Sequence, residues 1–225
     1  GINAEYGETM TSDEFQMWIP LENNPEMFMT YAQELFGVKV QVEDIWGAEC
    51  IQPNDYIILL FDTIYQPSLY ANFKPSTTAQ NFQHLKQTIC NSCGTMALLH
   101  CCANQPGFAP QANQQLFDQL LQQKTITGMD LIQKLHNQFA DKEPQAQTET
   151  KQESNCQTEE TFGTGVDMNT SLHFVVLKRV EGKVVLLDGR IEEVLEADAE
   201  NGQAVIDLIL GSVPEFEMQV LRFEQ

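Results

Sequence analysis

Basic residues are scarce in this chain of 225: twelve Lys and Arg stand against thirty-two Asp and Glu, a formal charge of −20. Such an excess of acid repels polyanions, so nucleic acid and anionic membranes are disfavoured as partners and a basic protein surface is favoured through long-range steering. Long apolar runs are also missing. None approaches the roughly eighteen residues of a membrane-spanning helix, and no basic segment followed by an apolar one opens the chain. The expectation is a soluble, cytoplasmic, monomeric protein. Residues 1–16 lack hydrophobic periodicity and read as a loose polar extension, with expression-derived residues a candidate at its front. No internal repeat is present, and hydrophobic (42%) and charged (20%) residues stand in the proportions of an ordinary globular protein. One domain is therefore expected over 17–225.

What is present includes six cysteines, Cys50, Cys90, Cys93, Cys101, Cys102 and Cys156. In a chain of this size they fit thiols in a reducing compartment better than a disulfide scaffold. In chain order, Asn24-Pro25-Glu26 supplies a cap, a first-turn proline and a first-turn acid for a helix with Met27, Tyr31, Leu35 and Phe36 inward and Gly37 as its stop. Val38, Val40 and Val42 alternate as a strand does, and Tyr56 to Phe61 reads as a central strand covered on both faces. Gln66 to Thr78, rich in Pro, Ser and Thr, reads as a connection of little definite structure. A helix opened by Asn91 or Ser92 is apolar around its circumference and should be buried. Leu116, Leu120 and Leu121 mark another helix, and Met129, Ile132, Leu135 and Phe139 a third, with His136 on it as a partly exposed side chain. From Asp141 to Asp167 there are seven acids and two lysines. Such a stretch builds no core, and its length makes it a candidate lid. Strands follow at Leu172–Val180 and Val184–Leu187, then a helix over Asp198–Leu210 and a last strand at Val220–Phe223.

The chemistry centres on Gln87-Thr88-Ile89-Cys90-Asn91-Ser92-Cys93-Gly94-Thr95. Cys93 falls at a helix start, where unpaired backbone N–H groups and the positive end of the dipole favour a thiolate or an oxyanion. A two-residue turn at Glu181-Gly182 pairs Val180 with Lys183 and carries the register to Val175 opposite Asp188. His173 shares the face of Val175, which makes it a diagonal neighbour of Asp188. A three-residue turn would send the two groups to opposite faces. A carboxylate that orients a histidine, beside a thiol at a helix start, is what acyl transfer through cysteine requires. Gln87 can add a side-chain amide to the oxyanion donors. Two rival chemistries use the same residues: the Cys90-x-x-Cys93 spacing of a dithiol redox site, and a zinc set of Cys90, Cys93, His100 and Cys101.

The Gln87–Thr95 stretch resembles the nucleophile motif of the ubiquitin C-terminal hydrolases. Trp18-Ile19-Pro20-Leu21-Glu22-Asn23-Asn24-Pro25-Glu26, Leu172-His173-Phe174, Leu187-Asp188-Gly189-Arg190 and Leu221-Arg222-Phe223 resemble further segments of that family, so the likeness covers about residues 17–225. It implies an α/β (α+β) fold, with a central antiparallel sheet flanked by helices in a papain-like, knotted arrangement. By the same likeness Cys93 is the nucleophile, His173 the general base and acid, Asp188 its orienter and Gln87 the oxyanion stabiliser. No cofactor or metal is implied. The substrate would be ubiquitin or a ubiquitin-like protein, contacted by Pro20, Leu21, Glu22, Asn23, Asn24 and Pro25 and by Val220, Leu221, Arg222 and Phe223. Residues 141–167 match the family's crossover loop. Cys90 stands where a small residue is more usual. A binding module with little turnover is the alternative to an enzyme.

Overall fold

The structure is a computed structural model that describes residues 17–78, 80–140 and 170–224. The expected extension 1–16 and loop 141–167 lie outside the described residues. Helix α1 (Pro25–Phe36) starts where the Asn24 side chain accepts from the Glu26 N–H at 2.9 Å and stops at Gly37, whose φ of 65° closes a bond from its N–H to Gln33 O. Strands β1 (Val40–Asp44) and β2 (Tyr56–Asp62) follow, then a short helix α2 (Gln66–Tyr70) and a two-residue strand β3 (Lys74–Pro75). Next come the helices α3 (Cys93–Asn104), α4 (Gln114–Gln123) and α5 (Asp130–Ala140). Strands β4 (Leu172–Val180), β5 (Lys183–Leu187) and β6 (Leu195–Asp198), helix α6 (Gly202–Leu210) and strand β7 (Phe216–Phe223) complete the order.

The seven strands form one antiparallel sheet in the order β1-β7-β2-β4-β5-β6-β3. Alternation along the strands sends two sets of side chains to opposite faces. Tyr56, Ile58 and Leu60 of β2 join the larger core with α1, α3, α4 and α5, whereas Ile57, Leu59 and Phe61 join a second core with α2 and α6. Buried on both faces, β2 is the continuous apolar strand its sequence suggests. Helix α3 is buried from Cys93 through Cys102.

Three expectations are corrected. The 66–78 connection is partly regular: Pro67 in the first turn starts α2, Leu69 anchors it in the core, and Lys74 pairs with Glu196. The Asp198–Leu210 segment is divided, because β6 ends at Asp198 and the Asn201 side chain caps α6 through the Ala204 N–H at 2.9 Å. His136 is fully buried rather than partly exposed.

Candidate active site

The turn between β4 and β5 is the two-residue form. Glu181 and Gly182 both have positive φ, 50° and 78°, and Val180 pairs with Lys183. This turn type matches the right-handed twist of the strands it joins, so it holds the register out to Val176 opposite Leu187. His173 near the start of β4 and Asp188 just beyond β5 consequently converge. His173 Nε2 lies 2.7 Å from Asp188 Oδ1, and both side chains are excluded from solvent. Burial alone would lower the His173 pKa. The Asp188 charge and hydrogen bond, followed by Cys93, raise it by more. Asp188 shows the counterpart: burial would raise its pKa, and the His173 charge and hydrogen bond, the Tyr70 hydroxyl and the Arg190 N–H hold it well below the carboxylate range. The pair therefore favours an imidazolium beside a carboxylate.

Cys93 is the first residue of α3 and a buried thiol outside any disulfide. It acts on the His173 ring through hydrogen bonding and charge. His173 Nδ1 nevertheless makes no hydrogen bond of strict geometry. A contact this loose in the absence of substrate is common at catalytic sites and tightens in the reacting complex. The approach to α3 is held by Ser92 Oγ, which donates to Ile89 O at 2.7 Å, and by Asn91, which takes φ of 64° and donates from Nδ2 to Trp18 O. Leu21 lies over Gly94, where a Cβ would come within 2.9 Å of its side chain.

Gln87 runs beside the loop after Asp188. Its N–H donates to Gly189 O at 2.8 Å, and a Cβ on residue 189 would meet Gln87 N at 3.0 Å, so this close approach favours glycine. The Gln87 amide nitrogen donates to Ile89 O at 3.2 Å. It carries a second hydrogen, which leaves one donor for an oxyanion.

The rival chemistries fit less well. Cys90 is disulfide-bonded while Cys93 remains a thiol, so the two cysteines of the C-x-x-C do not close on each other. Cys50, Cys101 and Cys102 are free thiols, as expected for most of the cysteines, and Cys90 departs from that expectation. Cys156 lies outside the described residues. The zinc set is not assembled either: His100 Nε2 accepts from the Leu85 N–H at 2.9 Å, and among the described residues no three His, Cys, Asp or Glu side chains group to hold a metal ion.

The expected partner contacts divide. Pro20, Glu22, Asn23, Asn24 and Pro25 are partly or fully exposed, and Asn23 Nδ2 donates to Glu217 Oε2. Leu21, Val220 and Leu221 are buried. Arg222 clamps Asp55 through two 2.6 Å bonds, and Phe223 packs edge-on to Tyr56 and Phe108. The reason is that β7 is an interior strand between β1 and β2, which buries Val220 and Leu221, while Arg222 and Phe223 stay partly exposed. Sequence reading also missed Tyr70, whose hydroxyl donates to Asp188 Oδ2 at 2.7 Å, and His84, whose Nε2 donates to Asp188 O at 2.9 Å. Proline at the start of α2 was the available signal for Tyr70; nothing local marked His84.

A family model described as ubiquitin carboxyl-terminal hydrolase, family 1, matches residues 18–207. A probable ubiquitin carboxyl-terminal hydrolase of Dictyostelium discoideum is 30% identical over 190 residues, which span 77% of this chain and 71% of that protein. A ubiquitin carboxyl-terminal hydrolase of Aplysia californica is 28% identical over 188 residues, 79% of this chain and 84% of that protein. Among solved structures, the catalytic domain of Trichinella spiralis UCH37 bound to ubiquitin vinyl methyl ester shares the fold with a TM-score of 0.62 at 19% identity, covering 95% of this chain and 99% of that one.

Proposed function

Because the chain belongs to family 1 of the ubiquitin carboxyl-terminal hydrolases, we propose that Cys93, His173, Asp188 and Gln87 are the catalytic set with which it works as a thiol-dependent deubiquitinase. The observation that carries the assignment is the buried 2.7 Å bond between His173 and Asp188, with Cys93 acting on the same ring from the start of α3. The thiol proton passes to His173, and the thiolate attacks the carbonyl carbon of the C-terminal glycine of ubiquitin or a ubiquitin-like protein. The tetrahedral oxyanion is met by the Cys93 N–H and the Gln87 amide, where a single such donor is worth about 3 kcal/mol. His173 then protonates the leaving amine, and an acyl thioester forms. Water activated by the same imidazole releases the carboxylate and restores the thiol.

The −20 charge supports a basic partner surface. The exposed residues of the Pro20–Pro25 segment are the contacts we retain for it. Among the described residues no helix is long and apolar enough to cross a membrane, and a cytoplasmic monomer completes the reading.

The test is hydrolysis of a fluorogenic amide of the ubiquitin C terminus by the wild type, Cys93→Ala and Cys90→Ala. Cys93→Ala should lose about 10⁴-fold or more in kcat, and Cys90→Ala should retain turnover. Tight binding without turnover by the wild type would instead support a binding module. Equal loss in both variants would support a dithiol.

A further inference from the structure

The Asp188 carboxylate has two oxygens with different partners. Oδ1 takes the His173 ring at 2.7 Å and the Arg190 N–H at 2.9 Å. Oδ2 takes the Tyr70 hydroxyl at 2.7 Å, and among the described residues that is its one donor. Tyr70 is 118 residues away in the chain and belongs to an element absent from the sequence-based reading. Its ring is well fixed: it lies 6.2 Å from Phe61 and 6.4 Å from Phe73, and Phe61 in turn meets the His173 ring at 6.3 Å. The end of α2 is tied down by Asn72, whose side chain donates to Leu69 O and to Ser212 Oγ.

Resting on the proposed catalytic set, we infer that Tyr70 is a positioning residue that acts through Asp188, holding the carboxylate in the rotation that presents Oδ1 to His173. The physical reason is asymmetry of cost. A buried carboxylate oxygen without a donor bears its full desolvation penalty, and the carboxylate would turn to share the remaining donors. Each such turn moves Oδ1 off the imidazole. Tyr70 can serve across the working range because burial, then the Asp188 charge, push its phenol pKa well above the ordinary value, so the hydroxyl keeps its proton. The other groups around Asp188 do not replace it. Arg190 supplies a backbone N–H to Oδ1, His84 bonds the Asp188 carbonyl, and His100 is committed to the Leu85 N–H. The Arg190 side chain acts on the Tyr70 phenol by charge.

The test is Tyr70→Phe, which keeps the ring and removes the oxygen. Turnover of the ubiquitin C-terminal fluorogenic amide is normalised to active molecules, counted by titration with a ubiquitin-derived electrophile, so partial misfolding does not enter the rate. We expect about a ten-fold fall in kcat with KM changed less than about two-fold, the scale of one hydrogen bond to a charged group. The alkaline limb of kcat/KM should move to lower pH by about half to one unit as His173 loses its partner. In an Asp188→Asn background, Tyr70→Phe should add nothing, because its effect passes through that carboxylate. A wild-type rate and pH profile for Tyr70→Phe, an alkaline limb moved upward, or a full additional loss in the Asp188→Asn background would overturn the inference. Failure of the catalytic set itself would appear separately, as turnover that survives Cys93→Ala.

Discussion

Two buried histidines, His173 and His136, are equally hidden from solvent and do opposite things. His136 sits in a neutral chain: its Nε2–H donates to Ile19 O at 2.7 Å, Nδ1 accepts from the Thr95 hydroxyl at 2.7 Å, and Thr95 accepts from the Tyr31 hydroxyl at 2.8 Å. Burial drops its pKa to about 4. His173 is paired with a carboxylate and carries a raised pKa. Burial by itself therefore makes a histidine inert; a buried charge beside it makes the proton movable. The two sites meet on α3, since Thr95 lies two residues beyond Cys93 in the same helix. The neutral chain ties α1, α5 and the entry segment to the helix on which the nucleophile stands.

The largest expected effect comes from erasing the difference between the two. Asp188→Asn leaves His173 buried beside a neutral amide, as His136 is, and should lower kcat by about 10³- to 10⁴-fold in the fluorogenic assay with the fold retained by circular dichroism. A loss below about ten-fold would show that the carboxylate is not what separates the two histidines.

Acid is the second probe, and the signs differ. His136 and His100, whose pKa burial lowers to about 3, bind protons more readily unfolded than folded. Their stability is present above the unfolded pKa near 6.5 and is lost as pH falls below it, by about 2 kcal/mol each between pH 6.5 and 5. His173, with its raised pKa, contributes stability that is full below 6.5 and is lost as pH rises through its folded value, so it is constant in that window. Asp188, with its lowered pKa, loses its contribution only in stronger acid, below the unfolded carboxylate range. Denaturant melts at pH 6.5 and 5 should show the drop, and a flat profile would contradict it.

The third probe is His136→Ala. It removes the acceptor of the Thr95 hydroxyl proton and the donor to Ile19 O and opens a cavity, so stability should fall by about 3 kcal/mol while kcat per folded molecule stays within about three-fold. The acid drop between pH 6.5 and 5 should shrink by about half, because one of its two sources is gone. Loss of turnover comparable to that of Asp188→Asn would place His136 in the chemistry instead.

What the sequence by itself determined is everything that neighbours along the chain control. The Asn24–Pro25 cap, the Gly37 stop, the helix start at Cys93, the apolar β2 and the register of the β4–β5 hairpin are local, since turn chemistry and side-chain period act over a few residues. Through the hairpin, that local information reached as far as the contact of His173 with Asp188. Tertiary structure alone decided the rest. It buried His136 beneath the entry segment, turned Val220 and Leu221 inward by placing β7 between two strands, closed Gly189 onto Gln87, and brought the Tyr70 hydroxyl to Asp188 Oδ2. Each of these depends on which distant element becomes a neighbour, and no periodicity or turn signal encodes that choice.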